Sequence, residues 1–370
     1  MLNLLITGAS GVLGQQVLAD LAACHHKITV LSRDPRRYEW PQGITVLKAD
    51  LCDSEGLTNA LRGRSFDQVI HMAACVRWNQ SEHLAMEHNV RATKNLLTFF
   101  QSGIKKPHFI YVSTAFVDKI SCDLKPEFGS TDHGTTNFNN TYEMSKYMAE
   151  QEVSGSSLPW SILRPSIIIG HSKSGVITGF NGMYQLLKIY LSGRLPFIIG
   201  EAESRLDLCP VDEVSKALKT LLSKRDFRNK ISYASSAEHA IKLSRLIDMV
   251  QKTFAQRQIS YGLPATKPVP LISNEHYSRF YKPMAMKVLS GKQKHYLDLS
   301  GYFLPYLCIK GVRRLDETQN LIDPESAGHS LQACLNFWCD SHAHLFFKHY
   351  SKASVEPTGN RYYGSALQGR

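Results

Sequence analysis

The sequence predicts an α/β fold, in which a doubly wound parallel sheet is joined to a smaller, mostly helical substrate-binding region. Two observations favour this fold class. Short apolar runs alternate with segments of helical spacing through the first 170 residues. A glycine-rich turn separates the first apolar run from the first helical segment. Because helical crossovers connect parallel strands, helices are expected on both faces of the sheet.

Six short apolar runs are interpreted as strands, and four segments between them as helices. The predicted strands are Leu2–Thr7, Lys27–Leu31, Ile44–Leu47, Gln68–His71, His108–Val112 and Trp160–Leu163. The predicted helices are Val12–Ala23, Asp53–Leu61, Glu82–Phe100 and Tyr142–Val153. This order along the chain is typical of repeated strand–helix–strand units, which place all strands in one sheet.

The alternation loosens after about residue 170. Residues 1–170 are therefore assigned to a nucleotide-binding core and residues 171–370 to a substrate-binding or lid region. Part of the second region, about residues 205–255, is expected to return to the core. Two helices, one short strand and an aromatic amphipathic helix are predicted beyond residue 205, namely Glu213–Leu222, Lys242–Phe254, Ile231–Tyr233 and His329–His349. Residues 255–310 are rich in proline and aromatic residues and show no clear period.

The composition limits the partners and the compartment. A net charge of +11 is compatible with solubility alone or with an anionic partner, such as dinucleotide phosphates, coenzyme A or an acidic carrier protein. No zinc-finger or RNA-binding signature is present, so nucleic acid is not expected. No run of 18 apolar residues occurs, and a membrane span is not expected either. The oligomeric state stays open.

The cysteines argue for reduced thiols. The eight cysteines are scattered, and none forms a Cys-x-x-Cys pair, so a metal site is not predicted. No secretory signal precedes the first predicted strand. These features together predict a cytoplasmic protein.

The first predicted strand runs into a glycine-rich turn at the start of a helix. The turn reads Thr7-Gly8-Ala9-Ser10-Gly11-Val12-Leu13-Gly14. Glycines allow the backbone to turn tightly and approach a pyrophosphate, while the helix N-terminus offers unpaired N–H groups and a positive dipole end. An ordinary tight turn is the alternative, but the strand before it and the helix after it favour a dinucleotide site.

The end of the second predicted strand indicates the preferred dinucleotide. An NAD site usually has an acidic residue about 20 residues beyond the glycine turn, whereas Ser32 and Arg33 stand here. The planar guanidinium of Arg33 suits a 2′-phosphate, with Arg36 or Arg37 as a second contact. The predicted cofactor is therefore NADP(H). A solvated basic turn is the other interpretation, and the acidic residue Asp34 next to Arg33 favours it.

A tyrosine and a lysine four residues apart form the predicted catalytic pair. Tyr142 and Lys146 share one helix face, so the ammonium can lower the phenol pKa and hold ribose hydroxyls. The phenol can then give a proton to a carbonyl as hydride arrives. Ser113 and Thr114 follow the fifth predicted strand, where a hydroxyl would donate to the same oxygen. Hydroxyls that merely end a strand are the alternative.

These motifs, in this order, resemble the extended short-chain dehydrogenase/reductases. The turn at Thr7–Gly14 has the Thr-Gly-x-x-Gly-x-x-Gly form of that family. Comparison with the family pattern assigns the active hydroxyl to Thr114 and a supporting role to Ser113. Further family matches are Asp50-Leu51, His71-Met72-Ala73-Ala74, Asn89-Val90, Arg164-Pro165-Ser166 and Pro210-Val211-Asp212. The resemblance covers roughly residues 1–220.

The resemblance implies positions for the cofactor. Asp50 and Leu51 would meet the adenine, and Ala73 and Ala74 would pass beneath the cofactor. Asn89 lies on the following helix. Pro165, Ser166 and Ile167 would border the nicotinamide, and Lys146 would contact the ribose. No role is assigned to His71.

Two segments are similar to one branch of the family. Ser113-Thr114-Ala115-Phe116-Val117 resembles the Ser-Thr-Ala-Tyr-Val of fatty acyl reductases, and residues 164–175 resemble a loop of thioester reductase domains. The resemblance implies NADPH-dependent reduction of an acyl thioester, bound to coenzyme A or a carrier protein, to aldehyde or alcohol. A ketone or secondary-alcohol dehydrogenase would use the same residues. A nucleotide-sugar epimerase or dehydratase and a non-catalytic nucleotide sensor are the remaining alternatives.

Overall fold

A parallel seven-stranded sheet forms the centre of the structure, a computed structural model, and confirms the predicted α/β, doubly wound (Rossmann) fold class. The structure describes residues 1–77, 80–118, 138–191, 197–264, 268–291, 294, 297, 301–309, 311–316 and 318–347. The strands of the sheet are β1 (Asn3–Thr7), β2 (Lys27–Ser32), β3 (Thr45–Lys48), β4 (Gln68–His71), β5 (His108–Val112), β6 (Trp160–Pro165) and β11 (Lys230–Ala234). Their order is β11-β6-β5-β4-β1-β2-β3, and every pair is parallel.

Short strands outside the sheet pair two by two. They are β7 (Ile167–Ile169) with β10 (Leu208–Pro210), β8 (Ile198–Ile199) with β13 (Leu271–Ile272), and β9 (Arg205–Leu206) with β12 (Ile241–Lys242). Strand β7 follows β6 almost directly, whereas the other five strands lie between residues 198 and 272, among the helices of the second half of the chain.

The described helices occupy the segments between strands and most of the C-terminal part. They are α1 (Val12–Ala22), α2 (Ser54–Leu61), α3 (Glu82–Ala85), α4 (Ala92–Ser102), α5 (Thr141–Ser154), α6 (Met183–Leu191), α7 (Val211–Ser223), α8 (Leu243–Ser260), α9 (Asn274–His276), α10 (Lys282–Val288), α11 (Leu304–Leu307), α12 (Ser326–Ser341) and α13 (Ala343–Phe347). A π turn, Met86–Arg91, joins α3 to α4, and a second, Tyr277–Tyr281, joins α9 to α10. None of the described helices combines the length and the apolar character needed to cross a bilayer.

Alternating strand residues build two apolar layers, one on each face of the sheet. Leu4 and Ile6 of β1 pack with α1 and α7, whereas Leu5 between them packs with α2, α4 and α5. This alternation follows from the two-residue period of a strand. Packing of both layers holds the strands in place, so their carboxyl ends lie along one edge of the sheet. The predicted site residues lie at this edge.

A third apolar cluster holds the C-terminal helices together. Trp338 of α12 is fully buried and stacks on Phe254 of α8, which also meets Phe346 edge-on. Most of the predicted aromatic helix over residues 329–349 thus forms core, and it breaks at His342 between α12 and α13. The division of the chain at residue 170 stays a prediction. Strand β11, which lies beyond that boundary, pairs with β6 and so belongs to the central sheet.

Candidate active site

A cleft of about 890 Å³ opens along the carboxyl ends of the parallel strands. It begins where β1 lies between β2 and β4. From β1 the strand order proceeds to β2 and β3 on one side and to β4, β5 and β6 on the other, so this is the topological switch point of the sheet. Dinucleotides bind at such switch points in doubly wound sheets. The cleft runs from the ends of β2 and β3 past β1 and β4 to the ends of β5 and β6.

The glycine-rich turn forms the floor of this cleft. Gly8 has a φ of +75° and lies so close to the end of β4 that an added Cβ would stand 2.5 Å from the Ala73 nitrogen. A Cβ on Gly14 would stand 2.1 Å from the Gly8 carbonyl oxygen. Gly11 begins α1 without a side-chain cap, so the first N–H groups of the helix are not engaged by a capping side chain. The cradle therefore fits a pyrophosphate at a helix N-terminus.

The residues at the end of β2 line the end of the cleft where the adenosine of a dinucleotide is predicted to lie. Ser32, Arg33 and Arg37 all contribute to its wall. Asp34, which also lines the cleft, accepts a hydrogen bond from the Arg36 backbone N–H (3.3 Å) and caps the turn Pro35–Arg37. Arg37 lines the cleft wall after this turn and Arg36 does not, so the predicted contact of Arg36 with a cofactor stays a prediction.

Thr7 and His71 belong to the support of the cleft rather than to its wall. The Thr7 hydroxyl bonds His71 Nδ1 at 2.6 Å, and His71 Nε2 meets the Thr93 hydroxyl at 2.9 Å. Burial lowers the pKa of His71 to about 3, so the imidazole is neutral. Thr7 joins the ends of β1 and β4, and the Ala73 N–H also points to its hydroxyl (3.4 Å). Its contact with a cofactor stays a prediction.

Asn89 also lies behind the wall. Its side-chain oxygen accepts from the Cys75 backbone N–H at 2.7 Å, and its amide donates to the Ser145 hydroxyl at 2.8 Å. Asn89 therefore links the loop after β4 to helix α5, next to Lys146. The π turn around it was not predicted from the sequence.

The other predicted cofactor contacts come together in the wall of the cleft. They are Gly8, Ser10, Gly11, Val12, Leu13, Gly14, Ser32, Arg33, Asp50, Leu51, Ala73, Ala74, Lys146, Pro165, Ser166 and Ile167. The structure shows this placement, and their contacts with a dinucleotide remain predictions.

The three predicted catalytic residues line the same cleft. Thr114 follows β5, and Tyr142 and Lys146 lie on α5. The Thr114 hydroxyl accepts a hydrogen bond from the Phe116 N–H (3.3 Å) and caps the turn Ala115–Val117. As an acceptor in that bond it keeps its own proton for a second acceptor. Ser113, also in the wall, is buried, and its hydroxyl has no hydrogen-bond partner within the described part of the chain.

Burial shifts the pKa of both α5 residues. Lys146 Nζ donates to the Val112 carbonyl oxygen at 2.6 Å and lies 4.0 Å from the centre of the Tyr111 ring. Burial lowers the pKa of Lys146 to about 7, although Glu150 opposes the shift. Burial, together with the charge of Glu143, raises the pKa of Tyr142 well above its ordinary value, so its phenol stays protonated at neutral pH.

A carboxyl group that sequence reasoning missed lies beside Tyr142, the predicted catalytic tyrosine. Glu143 is buried in the cleft wall and accepts hydrogen bonds from the Asn139 N–H (2.9 Å) and from the Tyr306 hydroxyl. Burial raises the pKa of Glu143 to about 7. The Tyr306 oxygen accepts in turn from Asn140 Nδ2 at 2.7 Å. Tyr306 thus ties the C-terminal half of the chain to the start of α5.

A second connection reaches the turn that carries Thr114. Arg313 donates to the Ala115 carbonyl oxygen and to Asp118 Oδ2, the latter at 3.2 Å. Arg164 binds the other oxygen of Asp118 at 2.7 Å and pairs with Glu150 through both carboxylate oxygens. These charges are held in a network, and the turn after β5 is fixed from two sides.

The comparisons with known proteins fit this geometry. The family model of the male sterility protein matches residues 36–218, about half of the chain. The fatty acyl-CoA reductase wat of Drosophila melanogaster is 26% identical over 55% of this chain and 47% of its own length. Fatty acyl-CoA reductase 1 of Xenopus laevis is 28% identical over 57% of this chain and 52% of its own length. The chain thus spans about half the length of these curated relatives.

A solved structure extends the likeness to nearly the whole chain. The terminal R domain from the myxalamid PKS-NRPS biosynthetic pathway superposes with a TM-score of 0.67 at 20% identity, over 92% of this chain and 90% of that domain. This match shows the shared fold. Together with the glycine cradle and the Tyr-x-x-x-Lys helix, the matches confirm the predicted resemblance to the extended short-chain dehydrogenase/reductases, and over residues 36–218 the chain belongs to the family of the male sterility protein.

Proposed function

We propose that this chain is an NADPH-dependent reductase of acyl thioesters, which are presented on coenzyme A or on an acidic carrier protein. The observation that carries the proposal is the continuity of the cleft. One cleft is lined by the glycine cradle, by Thr114 and Tyr142, and by the apolar side chains of Phe116, Ile177 and Phe303. A dinucleotide and an acyl chain would therefore meet at the predicted catalytic hydroxyls within the same cleft.

The charges at the adenosine end support NADPH over NADH. Arg33 and Arg37 line the cleft there, and a guanidinium can bind a 2′-phosphate through parallel hydrogen bonds. Asp34 lines the same part of the cleft, but one of its oxygens is already engaged at the Arg36 backbone N–H. The dinucleotide, when bound, supplies the hydride for the thioester carbonyl carbon.

The residues of the chain handle the charge and the proton. Thr114 and Tyr142 donate hydrogen bonds to the carbonyl oxygen, on which negative charge accumulates, and the Tyr142 phenol supplies the proton. The resulting hemithioacetal breaks its carbon–sulfur bond and releases a thiol and an aldehyde. A second hydride and proton convert the aldehyde to an alcohol. Burial makes the Lys146 ammonium easy to neutralise, and the phosphates of a bound dinucleotide would favour its charged form.

The test is thiol release from a medium- or long-chain acyl-pantetheine. We expect free thiol to appear in step with NADPH oxidation, at one NADPH per thiol if the aldehyde is the product and two if the alcohol is. A simple ketone and a nucleotide sugar serve as matched substrates in the same assay. Turnover of the ketone without thiol release would contradict the proposed thioester reduction. It would identify the chain as a secondary-alcohol dehydrogenase, which would use the same residues Thr114, Tyr142 and Lys146.

A further inference from the structure

An exposed apolar face stands out on the helical stretch 274–288, which comprises α9, the second π turn and α10. Among the described residues, twelve large apolar side chains are exposed, and four of them lie between Phe280 and Val288. Phe280, Met284 and Val288 are 58%, 69% and 80% exposed. Because they are spaced by four residues, they form one stripe along the helix.

An adjacent side of this stretch is packed against the protein. Tyr277 is buried with Phe197, Ile199 and Leu297, and Ala285 and Leu289 pack against the same cluster. These contacts fix the rotation of the helix about its axis. The stripe therefore points outward as a consequence of packing on the adjacent side.

Basic residues accompany the stripe. Between residues 275 and 294 the sequence contains five lysines and arginines against one glutamate. That glutamate, Glu275, is paired with Arg279 at 2.8 Å. Lys282 and Lys287 lie within the same turns as the exposed apolar residues. An apolar stripe bordered by lysine and arginine is the pattern of helices that lie in the headgroup region of anionic membranes.

We propose that the 274–288 stretch docks this protein onto an anionic lipid surface, with Phe280, Met284 and Val288 inserted among the acyl chains. The stripe lies on a single helical stretch and is accompanied by Lys282 and Lys287, a combination of apolar and basic side chains that suits an anionic lipid surface. The cluster beneath it includes Leu304, the neighbour of Phe303 in the cleft wall. Docking here would bring the apolar end of the cleft near the membrane, from which a long acyl substrate partitions. The docking itself does not depend on the proposed reductase activity.

The experiment is co-sedimentation of the full-length protein with vesicles. One set contains phosphatidylcholine alone and the other contains about one-third phosphatidylserine. We expect binding to the anionic vesicles and a loss of about tenfold or more in the variant F280S/M284S/V288S. The control I104S/I259S removes two exposed apolar residues elsewhere and should bind as the parent does. K287E should weaken binding to anionic vesicles only.

Several results would overturn the proposal. The parent protein could stay in solution with both vesicle types, or the control variant could lose as much binding as the stripe variant. Size-exclusion chromatography could show that the stripe variant changes a dimer to a monomer, which would identify a second copy as the occupant. An acidic acyl carrier that binds the parent and not the stripe variant, without vesicle binding, would identify a protein partner instead. Thioester reduction in solution is measured separately, so failure of either proposal leaves the other testable.

Discussion

At the scale of single residues, Tyr142 and Thr114 offer two hydroxyl protons to one cleft. The Thr114 oxygen already accepts from the backbone of its own turn, and burial keeps the Tyr142 phenol protonated. Each of the two hydroxyl groups can therefore donate a hydrogen bond to an acceptor atom of a bound substrate. A carbonyl oxygen that gains negative charge is the acceptor that best matches such a pair.

Removal of one of these donors should lower turnover without unfolding the protein. We expect Tyr142→Phe to bind NADPH as the parent does and to reduce kcat by roughly 10²-fold or more, because a proton donor and an oxyanion contact are lost. Cofactor fluorescence measures binding, and NADPH oxidation measures turnover. A variant with near-normal kcat would place the acid at another residue.

The two neighbouring arginines Arg33 and Arg36 provide a matched test of cofactor preference. Arg33 lines the cleft and Arg36 does not. Arg33→Ala should weaken NADPH binding by about 1–3 kcal/mol, the range of a charge-assisted contact, and should leave NADH binding nearly unchanged. Arg36→Ala should change neither affinity. Equal affinities of the parent protein for NADPH and NADH would contradict the assignment.

At the scale of elements, the turn Ala115–Val117 depends on a segment far away in the sequence. Arg313 holds its first carbonyl oxygen and the carboxylate of Asp118. The ring of Tyr306 meets that of Phe116 edge-on at 4.9 Å. The turn that aims Thr114 is thus positioned by the C-terminal half of the chain.

Arg313→Lys should therefore disturb chemistry more than cofactor binding. Lysine keeps the charge but lacks the planar fork, in which two separate nitrogens of Arg313 reach the carboxylate and the carbonyl oxygen. We expect kcat to fall about tenfold, with the Kd for NADPH unchanged. Its exposed neighbour gives the control, and Arg314→Lys should behave as the parent does. A parallel loss of NADPH affinity in Arg313→Lys would instead indicate a general loss of structure.

The same long-range contacts show where sequence reasoning ends. The strands β1 to β6 and the helices between them could be predicted because apolar periodicity is local, and most of the predicted cofactor residues lie in the cleft wall. The contact of Tyr306 with Glu143 spans 163 residues, and α11, which carries Tyr306, has only four. The spacing of apolar residues along the chain is a local pattern and does not predict a contact between such distant residues. The sequence contained one indication of Glu143, namely a carboxylate inside the Tyr-x-x-x-Lys motif, one residue after the predicted catalytic tyrosine.

At the scale of the whole molecule, buried ionisable groups link stability to pH. The pKa of Glu143 is raised to about 7, so the folded protein keeps a proton that the unfolded chain releases above its ordinary pKa. The stabilisation that comes from this bound proton is complete at acidic pH, below the ordinary pKa of the carboxyl, and is lost as pH rises through about 7. His71 acts in the opposite sense, since its lowered pKa makes stability fall as pH drops below its ordinary value.

Glu143→Gln isolates the first of these effects. Relative to the variant, the parent should lose roughly 2–4 kcal/mol of unfolding free energy between about pH 4.5 and 7.5, the size expected for a shift of two to three pKa units. Urea unfolding at a series of pH values gives the two profiles. Glu238→Gln, at an exposed site, should run parallel to the parent. Parallel profiles for Glu143→Gln would mean that this carboxyl titrates normally.

The Asp118–Arg313 contact also sets an order of events during translation. Its partners are 195 residues apart, whereas the last strand of the sheet ends at Ala234. A ribosome that adds roughly 5–20 residues per second takes about 10–40 s to travel from one partner to the other. All strands of the sheet leave the exit tunnel before Arg313 does, so the nascent chain can form the glycine cradle while the turn beneath Thr114 has its contact with Arg164 but still lacks those with Arg313. Ribosome-bound chains stalled before residue 300 should therefore retain the nucleotide without turning it over.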